Sequence, residues 1–229
     1  FHLASRGIME KENHPFLTDA QLKAEIAKCE YCAEKPCQEG CPADCSPADF
    51  IMAAKAGAKS DYRRSATLIM GSNPLGGVCG AVCPDKHCMR VCVHKDFDAP
   101  LNIPAIQASI VQKAKDLGVM PVLDKAEPNG KKVAVVGAGP AGLGVAGFLA
   151  QKGFTVDVFD ADKKPGGMCN LIPDFRLDKK VLDTDISWLR SLGGISLKTG
   201  QKVPDPGRRA VRYDAVVVSS GLDNPLHLG

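Results

Sequence analysis

Aromatic side chains are scarce in this 229-residue sequence, which has one Trp, three Tyr and eight Phe. An excess of either charge is also missing, since 29 basic residues against 26 acidic ones leave a formal net charge of +3. That falls far short of a nucleic-acid footprint, and the pairs Lys131-Lys132, Lys163-Lys164 and Lys179-Lys180 read as solvated faces. No nucleic-acid partner is expected. Long uncharged runs are few as well. One of them, Val133 to Ala150, holds five glycines and a proline in nucleotide-binding order, which excludes a membrane span. No secretory leader is read in the sequence, so a disulfide scaffold is disfavoured and a cytoplasmic location expected.

Thiols, by contrast, are plentiful and clustered. Nine of the ten cysteines lie between Cys29 and Cys92, in two clumps of nearly the same spacing. The first runs Cys29-x2-Cys32-x4-Cys37-x3-Cys41-Pro42, and the second contains Cys79, Cys83-Pro84, Cys88 and Cys92. Sulfurs at such intervals converge when loops and single helical turns carry them, as an iron–sulfur cluster or a zinc ion requires. Zinc sites favour two tight pairs far apart, or histidines at ligand spacing. A run of four cysteines closed by proline is nearer the ferredoxin pattern, in which the fourth cysteine often serves another cluster. The clumps are read as cluster ligands.

Along the chain, Phe1 to Pro15 has no pattern beyond that of an extended arm. Thr18-Asp19 signals a helix start with Leu22, Ile26 and Cys29 on one face, and Ser46-Pro47-Ala48-Asp49 signals another. A further helix is expected over Asp61 to Met70, broken by Asn73-Pro74-Leu75-Gly76-Gly77, and another over Ala105 to Leu117. Residues 1–120 thus form an α-helical domain with too little apolar repeat to stand without its inorganic centre. Residues 121–130 are a linker. From residue 131 a buried strand, Val133–Val136, leads into Gly137-Ala-Gly139-Pro-Ala141-Gly142, a helix to Gln151, and a strand ending at Asp160. Strand before, helix after and an acid at the next strand end make this a dinucleotide site, with the pyrophosphate on the helix N-terminus and Asp160 on a ribose. The double glycine Gly166-Gly167 favours FAD over NAD. A helix over Asp178 to Leu192 follows, with Trp188 in the core. Tyr213 to Val218 is expected to be a third, buried parallel strand. The fold class is α followed by α/β, with 131–229 an incomplete Rossmann-like domain.

Taken together, the cysteine run, Asn73-Pro-Leu-Gly, Val82-Cys83-Pro, Cys88-x3-Cys92, Pro100-Leu-Asn-Ile, GAGPAG and IPDFRL resemble the small (beta) subunit of NADPH-dependent glutamate synthase. The module is also similar to the N-terminal part of dihydropyrimidine dehydrogenase. The resemblance covers roughly residues 20 to 221. It implies two 4Fe–4S clusters, one on Cys29, Cys32, Cys37 and Cys92, the other on Cys41, Cys83, Cys88 and Gln107. Counting cysteines alone would instead take Cys79 as the eighth ligand, and that alternative stays open. Cys45 and Cys169 are spare. FAD positions implied are Gly137, Gly139, Ala141, Gly142, Asp160, Gly167 and Arg176, with Asp160 standing where the family usually has Glu. Family members continue into an NAD(P)H-binding domain that this sequence lacks, so NAD(P)H would bind outside it, and the chain is expected to be a fragment or a shortened subunit. The function implied is electron transfer between FAD and a partner redox subunit of an NAD(P)H-linked oxidoreductase, with no side chain acting as catalytic acid or base. The alternative is a non-catalytic adaptor that binds clusters but no functional FAD.

Overall fold

The computed structural model describes residues 16–207 and 212–221, so the expected arm over 1–15 lies outside the described residues. Helix α1 (Asp19–Ala27) starts where the sequence placed it. Thr18 Oγ1 accepts from Gln21 N at 3.4 Å and Gln21 Oε1 accepts from Thr18 N at 2.9 Å, a reciprocal cap for two otherwise unpaired donors. Leu22 and Ile26 are buried, and Cys29 stands just past the helix end. A short turn, α2 (Pro36–Glu39), was not foreseen. Ser46 and Pro47 open α3 (Pro47–Ala53), and Asp61 caps α4 (Lys59–Ser72) by accepting from Ala58 N at 2.9 Å.

The expected break after α4 is shorter than predicted. Asn73 ends α4 and its side chain accepts from Leu75 N, but Gly76 and Gly77 open a new helix, α5 (Gly76–Val82). Tertiary packing overrides the poor helix propensity of three glycines in seven residues. At Gly80 a Cβ would stand 2.5 Å from the backbone N of Ala108, so only glycine lets α5 lie this close to α6 (Ile103–Asp116). Asn102 caps α6, and Gly118 in the left-handed region ends the turn beyond it.

The helical half also has a better apolar centre than its sequence promised. Phe50, Ile51, Ile69, Met70, Ile106 and Ile110 are all fully buried, each contributing ~1.5–3 kcal/mol of transfer free energy before entropy is charged. The same cluster continues without interruption into Leu143, Leu177, Leu182, Trp188 and Leu189 of the second half. Helical periodicity scattered over short helices hid this core.

The second half is a parallel sheet. Strands β1 (Lys132–Val136), β2 (Thr155–Phe159), β3 (Ile195–Lys198) and β4 (Ala215–Val218) lie in the order β3-β2-β1-β4, with α7 (Pro140–Gln151) and α8 (Lys179–Ser191) as crossovers. Val133 pairs with both Val156 and Ala215, so β1 is central. β3 was not predicted, being four residues of mixed polarity. The strand expected to be third and buried is the fourth. It is half-exposed because it forms the sheet edge among the described residues. Residues 121–130 carry no helix or strand, yet they are tied down. Trp188 Nε1 donates to Pro121 O at 2.8 Å, and Ala126 N donates to Gln151 O at 2.9 Å. Trp188 is therefore core, as read. Among the described residues no helix is long and apolar enough to cross a membrane, and 133–150 is β1, a glycine turn and α7.

Candidate functional site

Cys29, Cys32, Cys37 and Cys92 line one cavity, with Ile51, His94 and Leu101 beside them. Four separate pieces of chain supply them: the end of α1, the loop after it, α2, and the stretch following the 3-10 turn Met89–Val91. The loop bends through two left-handed non-glycine residues, Tyr31 (φ 51°) and Lys35 (φ 45°). Asp49 on α3 holds both, accepting from Tyr31 Oη at 2.9 Å and Lys35 Nζ at 2.8 Å. Burial pushes the Cys29 and Cys37 thiols up, and neighbouring sulfurs add to the effect. Backbone N–H groups of Tyr31 and Ala48 aimed at those sulfurs act in the opposite sense. Buried thiols with inward N–H donors fit a positively charged inorganic core, which would stabilise them as thiolates.

A second group gathers around α5. Cys79 lies inside the helix and Cys83 one turn later at its C-cap. The hydrogen bond Cys79 donates to Cys83, with burial behind it, pushes Cys79 up, and the same bond holds Cys83 down. Gln107 reaches across from α6, its Nε2 donating to Gly76 O at 2.8 Å, and its side chain also meets Cys79. Burial pushes Cys88 up to about 12, aided by Cys83, Cys41 and Cys37. Cys41, although it closes the first run in sequence, is thus the electrical neighbour of Cys79 and Cys88. Cys45 joins this group, pushed up to about 12 by burial and then by Cys41, while a hydrogen bond with Ser72 opposes it. The sequence reading had left Cys45 spare and held Cys79 as the alternative eighth ligand, and the packing around α5 brings both into this group. Among the described residues no set of three His, Cys, Asp or Glu side chains is tight enough for a single metal ion.

The glycine turn sits at the carboxyl ends of β1 and β2. Gly137 has φ 109°, Gly139 caps α7, and a Cβ at Gly142 would strike the carbonyl oxygen of Gly137. Ala141 is exposed in the first turn of α7. Asp160 braces the turn, accepting from Ala138 N at 2.5 Å and from Asp162 N at 2.8 Å. Gly167 (φ 50°) closes over it, leaving no room for a Cβ, which would stand 2.9 Å from the Cα of Gly139, and Gly166 N donates to Ala138 O at 2.8 Å. Six of the seven expected dinucleotide positions therefore surround the helix N-terminus. Arg176 does not join them. Its guanidinium donates to Ala81 O and Val82 O, both at 3.2 Å, at the end of α5 just before Cys83. Between α7 and α5 runs a cleft of about 470 Å³, lined by Pro140, Gly144 and Phe148 of α7, by Cys79 and Val82 of α5, and by Cys169.

Comparison with known proteins follows the same division. Residues 7–119 match the family described as dihydropyrimidine dehydrogenase domain II, 4Fe-4S cluster, and residues 135–196 match NAD(P)-binding Rossmann-like domains. The NAD-dependent dihydropyrimidine dehydrogenase subunit PreT of Escherichia coli (strain K12) is 32% identical over 215 residues, covering 92% of this chain and 51% of that protein. The subunit of the same name from Salmonella typhimurium (strain LT2) is 31% identical over 213 residues, covering 91% and 50%. Glutamate synthase (NADH) of Schizosaccharomyces pombe is 30% identical over 229 residues, covering 95% of this chain and 10% of its own length. The chain spans about half the length of the first two relatives.

Proposed function

We propose, from the match of residues 7–119 to the dihydropyrimidine dehydrogenase domain II family of 4Fe–4S proteins, that this chain is the electron-transfer part of an NAD(P)H-linked oxidoreductase. The carrying observation is the cleft between α7 and α5, lined by Pro140 and Gly144 at the start of α7 and by Cys79 and Val82 of α5. Cys29, Cys32, Cys37 and Cys92 would hold one 4Fe–4S cluster, and Cys41, Cys83 and Cys88 with Gln107 the other. Gln107 is proposed for the eighth position because its side chain stands beside Cys79 with its amide nitrogen donating to Gly76 O, so that its oxygen would be the ligand atom. FAD is the dinucleotide proposed for Gly137, Gly139, Ala141, Gly142, Asp160 and Gly167, because the double glycine lets the chain pass close to a diphosphate and flavin. NAD(P) is the competing occupant, favoured by the family description of residues 135–196. When bound, a flavin there would exchange a hydride's two electrons and the clusters would pass them on singly.

The residues of this chain bind and place those groups. Gly137, Gly142 and Gly167 let backbone approach the diphosphate, and the free N–H groups of the first turn of α7 favour its charge. Asp160 keeps the turn shaped through Ala138 N and offers the remaining lone pairs to a ribose. Relatives named as a dihydropyrimidine dehydrogenase subunit and as a glutamate synthase share this module, so the final acceptor is read as a property of a partner redox subunit. The test is anaerobic reconstitution followed by iron, sulfide and flavin analysis. About eight irons per chain and a flavin spectrum bleached by NAD(P)H in the intact complex are expected. Iron near four, or nicotinamide binding with no flavin, would overturn the corresponding half of the reading.

A further inference from the structure

Helix α5 is a poor helix by its own sequence. Gly76-Gly77-Val-Cys79-Gly80-Ala-Val has three glycines, two turns of length, and no side-chain cap at Leu75. It is nonetheless the element that carries Cys79, delivers Cys83, and offers Gly76 O to Gln107. Its missing cap comes from far away in sequence. Asp185 on α8, with no exposed surface, places Oδ2 2.8 Å from Val78 N, in the first turn of α5 and 107 residues distant. Gly77 makes room for it, since a Cβ there would lie 2.9 and 3.2 Å from the two carboxylate oxygens and 3.1 Å from Val181 Cγ1. Arg176 grips the other end through Ala81 O and Val82 O. The nucleotide-binding half thus places an acid at the positive end of α5 and a base at its negative end, each satisfying backbone groups that a helix leaves unpaired.

We propose that Asp185 is the positioning residue of the second thiol site: by capping α5 from the nucleotide-binding half, it fixes where Cys83, Cys79 and the Gly76–Gln107 contact stand relative to Cys41 and Cys88. The inference rests on the cluster reading above for the identity of what is positioned, but the cap itself is a contact of the polypeptide. Its acid also explains why a glycine must occupy position 77, where any side chain would displace the carboxylate.

The experiment compares wild type with Asp185→Ala and Asp185→Asn in the purified chain, loaded anaerobically with iron and sulfide. Loss of a helix cap corresponds to roughly ten-fold in a local opening equilibrium, so Asp185→Ala should release second-site iron to a chelator roughly ten-fold faster and shift the potential of that cluster alone. The first cluster, on Cys29, Cys32, Cys37 and Cys92, should keep its electron-spin signal and release rate. Asp185→Asn retains an oxygen for Val78 N–H and should release second-site iron no faster than wild type. Equal loss from both clusters would reduce Asp185 to a general support of the fold and overturn the proposal. In the metal-free chain, amide exchange at Val78 to Val82 should quicken roughly ten-fold in Asp185→Ala while α7 and β1 stay protected, and unchanged exchange would also overturn it. A wild-type chain that takes up no iron would overturn the cluster reading instead, with the exchange result still deciding the cap.

Discussion

Asp185 is the side chain on which solution conditions should act most visibly. Burial raises its carboxyl from an ordinary 3.8 to about 7, while hydrogen bonds from Val78 and Gly77 and the charge of Lys115 pull the other way. A carboxyl whose folded value is raised favours the folded state when protonated, so its contribution is complete below about pH 4 and is lost as pH rises through about 7. The loss is on the order of a few kcal/mol. Thermal melts of wild type and Asp185→Asn over this range should converge in acid and separate towards neutral pH, with the wild type falling; parallel curves would refute the assignment. The eighth ligand is also a residue-scale question. With Gln107 as ligand, Cys79→Ser should keep its iron and spin spectrum, whereas Gln107→Leu should make one cluster labile; the reverse pattern would transfer the role to Cys79. Cysteine spacing and the glycine motif made most of these positions legible in the sequence, because their chemistry is local. Asp185 was not legible, because nothing near it in sequence hints at a partner 107 residues away.

At the level of elements, caps were readable and compensations were not. Thr18 and Ser46 announced α1 and α3 by side chains that act within three residues. α5 was missed because its glycines are explained only by what they pack against, and β3 because four residues of mixed polarity carry too little pattern. Gly80 offers the direct check. Alanine there would raise intrinsic helix propensity yet force a methyl against Ala108, so the variant should lose about 1–3 kcal/mol in denaturant unfolding rather than gain from the propensity. A more stable Gly80→Ala protein would mean that α5 and α6 are not held this close.

For the whole molecule, the sequence suggested two domains and a linker. The order of elements follows that division, but the packing does not. Cys37→Ser should remove the first cluster and leave the second, since Cys37 lines the cavity shared with Cys29, Cys32 and Cys92. Iron analysis with spin spectroscopy distinguishes this from loss of both. The apolar cluster that runs from Leu22 through Ile106 to Leu189 makes the expected boundary at 121–130 a boundary of chain, not of energy. Heat should therefore find one cooperative unit, with a single endotherm in calorimetry. Starving the protein of iron should lower the melting point of the nucleotide-binding sheet as well as that of the helices around the thiols. Metal supply would then be sensed, through shared side chains, at a site more than a hundred residues further along the chain.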